Sequence, residues 1–109
     1  MERIERLKAF LEENPADSFL KHALALEMIK IGEEGEARKI FEGILANDPS
    51  YVGSYYHLAK LLEKQKEYVV AGEWYKKGIA AATATGDRHA LNELQSAYNE
   101  LQDELEENA

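Results

Sequence analysis

The chain has 109 residues, a net charge of −8 and no cysteine. That length fits one domain with one modest core. The acidic balance excludes a general nucleic-acid or anionic-membrane binder, which needs excess Lys and Arg, and the missing cysteines exclude disulfides, thiol chemistry and thiolate zinc sites.

Apolar residues recur three and four apart almost throughout, the period of a helix. The first helix is predicted over about 2–14, and its opening "MERIERLKAF" mixes charges with apolar positions, unlike a signal peptide. The turn "NPADS" separates it from a second helix at 17–31, and "GEEGE" introduces a third at 34–47. Past "NDPS" a fourth helix is expected at 50–65, past "QKE" a fifth at 68–84, and past "TGD" a sixth at 87–106. No stretch alternates with period two, so the class is all-α, with short connections that turn neighbouring helices antiparallel. No apolar run approaches the roughly 18 residues of a membrane span, and the location expected is cytoplasmic.

The chain also repeats itself. Asn14-Pro15 and Asp48-Pro49 lie 34 residues apart, and the same shift carries Leu24, Ala25 and Met28 onto Leu58, Ala59 and Leu62, Ala37 onto Ala71, and Phe41 onto Tyr75. Ala25 and Ala59 are small where two helices approach most closely, Ala37 and Ala71 are small on the facing helix, and the larger residues fill the space beside them. A 34-residue helix–turn–helix period with this pattern resembles the tetratricopeptide repeat. The resemblance implies an α-solenoid of about six helices in antiparallel pairs, right-handed, in a single domain spanning 1–109. Its parts would be an N-terminal half repeat at 1–17, repeats at 18–51 and 52–85, and a C-terminal capping helix at 86–109. Such units cannot bury their apolar faces alone and must stack and be capped. Arg3 and Gln95 stand where the repeats carry alanine, so both ends read as caps of a complete small protein. Lys21 in the place of Tyr55, Ile44 in a usually small place and Thr83 in place of a proline depart from the pattern.

A chemical site is hard to find. No nucleophile-elbow or glycine-rich phosphate loop occurs. Ser18, Ser50, Ser54 and Ser96 read as capping or solvated residues, Gly32, Gly35 and Gly86 as turn residues, and Gly78 as a close-approach site between helices. The carboxylate runs, Glu33 to Glu36 and Glu100 to Glu107, read as solvated faces with no EF-hand spacing. No enzyme activity and no cofactor are expected.

In the resembled family the first helices of successive repeats line a concave groove for a bound peptide. The corresponding places here are Phe19, His22, Leu26, Ile29 and Lys30; then Tyr56, His57, Lys60, Glu63 and Lys64; then His89, Asn92, Glu93, Ser96 and Asn99. The five places that clamp a carboxylate in one subclass carry His22, Leu26, His57, His89 and Glu93 here, so that clamp is absent. All three histidines fall on groove places. They are either groove-wall residues bonded to neighbours and water, or a cluster that favours a partner when protonated or takes a divalent metal. Exposed aromatic and aliphatic groups among lysines suit a protein or peptide partner, with no nucleic acid and no membrane. A competing expectation comes from the stripe Leu91, Leu94, Tyr98, Leu101 and Leu105. It packs on the helix before it, or Leu101 and Leu105 overhang and pair with a second copy. The chain is thus a monomer or a weak homodimer.

Overall fold

A computed structural model describes residues 2–108. Met1 and Ala109, the outer ends of the expected half repeat and capping helix, lie outside the described residues. Six helices and no strand occur among the described residues: α1 (Glu2–Glu13), α2 (Ser18–Lys30), α3 (Glu34–Asn47), α4 (Gly53–Lys64), α5 (Tyr68–Thr85) and α6 (Arg88–Glu107). The fold is all-α, as the helical period requires. The chain divides between Asp48 and Pro49 into two compact units, one holding α1–α3 and the other α4–α6.

The turns explain why the helices stop where they do. Gly32, Lys66 and Gly86 all have positive φ, at 83°, 63° and 73°. After each, a backbone N–H reaches back five residues: Glu33 to the Met28 carbonyl, Glu67 to Leu62 and Asp87 to Ala82, each at 2.9 Å. This left-handed closure satisfies carbonyls that the helix end would leave without partners. The next helix then starts from a side-chain cap where one is present. Asp17 accepts from the Leu20 N–H and Asp87 from the Ala90 N–H, both at 3.0 Å.

Two sequence expectations are corrected at these boundaries. α4 begins at Gly53 rather than at residue 50, because residues 49 and 50 turn and Val52 is drawn into the core. Gly35 is not a turn residue but the second residue of α3.

In the first unit Ala25 and Ala37 are fully buried, and Leu24, Met28, Phe41, Ile44 and Leu45 fill the space around them. α1 adds Ile4 and Leu7, and its Arg3 pairs with Glu27 on α2 at 3.3 Å. Phe10, aligned in the sequence with core residues, is instead 54% exposed. In the second unit Ala59 and Ala71 are fully buried, together with Leu58, Leu62 and Tyr75. The Tyr55 hydroxyl donates to the Pro49 carbonyl at 2.6 Å, tying α4 to the turn that precedes it.

α6 completes the second unit with Leu94, Ala97 and Leu101. Of the two expectations for Leu101, overhang is corrected and packing on the helix before it holds: it is 1% exposed, and its side chain lies over Gly72 of α5. Only Leu105 of that pair remains partly exposed. Ser54 is likewise buried rather than solvated, and Tyr68 at the start of α5 sits at the surface at 37% exposure.

Candidate binding faces

On α2 the residues expected to face a ligand are the ones the core leaves over. Phe19 is 68% exposed, and Leu26 and Ile29 are half-buried beside it along the helix. Burying a ring of that size is worth about 2–3 kcal/mol, so Phe19 gives up that gain in the free protein. His22 is half-buried, with its ring edge-on to Phe41 at 5.5 Å and 63°. Lys30 is paired with Glu27 at 3.0 Å. Glu27, which sequence reasoning did not single out, thus holds two cations, Lys30 and Arg3. The Lys30 hydrogen bond, with the charges of Lys30 and Arg3, keeps its carboxyl below the usual range against the opposing effect of burial. The three-residue spacing from Glu27 to Lys30 was legible; the reach of Arg3 from α1 was not.

On α4, Tyr56 and His57 are half-buried neighbours with perpendicular rings 5.6 Å apart. The Lys60 ammonium stands 5.7 Å from the Tyr56 ring centroid and 3.8 Å from a Glu63 oxygen. Glu63 also accepts the hydroxyl hydrogen of Tyr75, a buried residue of α5. Burial, reinforced by that hydrogen bond to an anion and by the Glu63 charge, pushes the Tyr75 phenol far above its usual range. Tyr56, Lys60 and Glu63 therefore form one connected surface resting on a rigid core residue. Lys64 is exposed at the end of α4.

His89, Asn92, Glu93, Ser96 and Asn99 are all exposed on α6, where Gln95 donates to Asn99 at 3.1 Å. The Glu93 charge reaches His57: it partly offsets the burial that lowers the His57 pKa below its usual value. α4 and α6 thus present polar and aromatic residues to a shared environment within the second unit. Among the described residues no three His, Cys, Asp or Glu side chains are placed to hold a metal ion, which removes the metal version of the histidine cluster.

A third surface was missed. A cleft of about 280 Å3 opens between α5 and α6, bordered by Tyr68, Val69, Gly72 and Leu105. Val69 is 74% exposed there. The adjacent pair Tyr68-Val69 sits just before the regular core spacing of α5 resumes at Ala71, so the apolar type of these two residues hid their outward direction.

No family model matches the chain. It is 38% identical to a tetratricopeptide repeat domain protein from Salinibacter ruber, and the two structures superpose with a TM-score of 0.79 over 82% of this chain and 90% of that one. The TPR2B domain of yeast Sti1, solved in its complex with pHsp70, superposes with a TM-score of 0.84 over 93% of this chain and 81% of that one. At 18% identity that likeness concerns the fold alone. Interferon-induced protein with tetratricopeptide repeats 3 of Mus musculus is 24% identical over 103 residues, 94% of this chain. The chain spans 25% of the length of that curated relative.

Proposed function

Because the chain belongs to the tetratricopeptide repeat family, we propose that it is a non-catalytic interaction module that binds a peptide or protein segment through exposed helix faces, that of α2 in the first unit and those of α4 and α6 in the second. The observation that carries this reading is Phe19, a large ring left in water at an α2 position that the repeat pattern assigns to the groove. Tyr56 and Lys60 supply a second aromatic and cationic contact on α4, and His57, His89 and Asn92 add polar groups around it. Exposed rings among charges are the usual anchors of a recognition surface. The solved complex of the yeast Sti1 domain with pHsp70 supports a peptide-like partner, although the clamp residues for a terminal carboxylate are replaced here by Leu26 and Glu93. The net charge of −8 argues against nucleic acid. Among the described residues no helix is long and apolar enough to cross a membrane.

Peptides selected on the protein from a random display library test this. Phe19→Ala and the pair Tyr56→Ala with Lys60→Ala should each weaken them about tenfold or more, the loss typical of an anchor residue, with helical circular dichroism unchanged. Peptides that bind these variants as well as the parent would contradict it.

A second reading is self-association, favoured by the exposed Tyr68 and Val69 and the partly exposed Leu105 around the α5–α6 cleft. The partner surface is then a second copy. Val69→Glu and Leu105→Glu should return a dimeric mass to that of a monomer in light scattering, while Phe19→Ala leaves it unchanged.

A further inference from the structure

The first unit contains a cleft of about 380 Å3 in the place where the second unit is filled by its own aromatic residues. In the second unit the Tyr55 and Trp74 rings lie 6.1 Å apart and tilted at 44°, Lys77 covers the Trp74 ring at 4.5 Å, and Gly78 makes room for Tyr55. Shifting each by 34 residues gives Lys21, Ile40, Gly43 and Ile44. Two rings have become an ammonium and an isoleucine, and the covering lysine has become a glycine with no atom within 4 Å of where a β-carbon would stand. Ile44 recovers part of the lost volume and is buried. The rest remains open, floored by Leu11, Leu24, Ile40 and Ile44 and lined by Lys21 and Lys39.

Three features give this cleft a ligand chemistry. Its volume is within the range of about 300–1,000 Å3 typical of ligand pockets. Its floor is aliphatic and its position is occupied by rings in the sister repeat, so the shape suits an aromatic side chain. Its two lysines make no ion pair among the described residues, in a chain with 21 acidic residues against 13 basic ones. An adjoining cleft of about 580 Å3 shares Lys21 and Ile44 and carries a carboxylate in its lining, Asp48, which accepts the Ser18 hydroxyl at 3.1 Å. Acidic groups of a ligand are therefore steered toward Lys39 and away from Asp48. At about 100° per residue, Lys21 and Leu24 project from the opposite side of α2 to Phe19, so this surface is independent of the one proposed above.

We propose that the cleft between α1, α2 and α3 is a second binding site, taking an aromatic side chain carried on an acidic peptide segment. The ring replaces the missing aromatic plug over Ile40 and Ile44, and flanking carboxylates pair with Lys21 and Lys39.

The test is a 15N-NMR titration of the intact chain with the capped pentapeptide Glu-Asp-Trp-Asp-Glu, alongside the same peptide with Ala for Trp and a Ser-Gly-Trp-Gly-Ser control. Saturable shifts at Leu24, Ile40 and Asn47 are expected, with both controls weaker. Lys39→Glu, at an exposed position, should weaken binding about two- to fivefold, the scale of an exposed charge pair, and Gly43→Phe should abolish it by filling the mouth. Phe19→Ala should leave it unchanged, which separates this site from the face carrying Phe19. No saturable binding, equal binding by Lys39→Glu and Gly43→Phe, or shifts centred on Phe19 and Tyr56 would each overturn the proposal.

Discussion

Gly78 and Tyr55 are in contact so close that a β-carbon on Gly78 would stand 2.7 Å from the β-carbon of Tyr55. It would also meet both Leu94 methyls at 3.1 Å, so one hydrogen-only position lets α4, α5 and α6 meet. The glycine costs the α5 helix about 1 kcal/mol relative to alanine, and burial of Tyr55 and Leu94 offsets that.

Gly78→Ala should therefore destabilise the protein despite the better helix former. Overpacking costs about 1–3 kcal/mol, which exceeds the propensity gain, and urea denaturation should show a lower midpoint. Gly43→Ala is the control: it sits mid-helix in open space and should stabilise by about 0.5–1 kcal/mol.

Lys66 occupies the left-handed turn position that Gly32 holds one repeat earlier and Gly86 holds after α5. A side chain there costs about 1 kcal/mol or slightly more. Lys66→Gly should raise stability by about that amount, and Gly32→Ala should lower it similarly, both read from denaturation midpoints.

The Tyr75 hydroxyl donates to the Glu63 carboxylate from a buried ring. Loss of a hydrogen bond to a charged group costs about 1.5–3 kcal/mol, and Tyr75→Phe should cost an amount of that order. The folded phenol's pKa is raised from its ordinary 10.0, so the unfolded chain releases this proton first. The contribution is full below pH 10 and is lost as the pH rises through the folded value. Tyr75→Phe should flatten the fall in stability seen above pH 10.

His57 behaves in the opposite sense. Burial lowers its pKa from 6.5, with Glu93 opposing, so the unfolded chain binds this proton first on acidification. The stability it contributes is present above pH 6.5 and is lost as the pH falls through the folded value. An NMR titration of the ring should give a midpoint below 6.5, and Glu93→Gln should lower it further. The free protein therefore disfavours the charged form that the pH-switch expectation needs.

Most of the fold was legible because small residues mark close helix approaches. Ala25, Ala37, Ala59 and Ala71 are fully buried, and at Gly78 an added β-carbon would clash with Tyr55. The turns at Gly32 and Gly86 were legible from glycine itself, whereas Lys66 adopts the same conformation without that signal. Leu101 was left between two readings because an apolar stripe on a last helix has the same spacing whether it caps or overhangs; packing against Gly72 decides for capping. Exposure was the least legible property. Phe10, Tyr68 and Val69 have the residue types of a core, and only the helix directions show that they do not reach it, whereas the repeat register already placed Phe19 outward. The cleft at Lys21 was signalled by an odd residue in a repeated place, but the volume left behind depends on Gly43 and Ile44 together.

The most direct measurement is backbone NMR shift mapping of one display-selected peptide on the 15N-labelled chain. The binding-module account predicts saturable shifts on α2 around Phe19 and His22 in the first unit or on α4 around Tyr56 and Lys60 in the second. Shifts confined to Tyr68, Val69 and Leu105, or a selected peptide that leaves the Phe19 and Tyr56 amides unmoved, would contradict it.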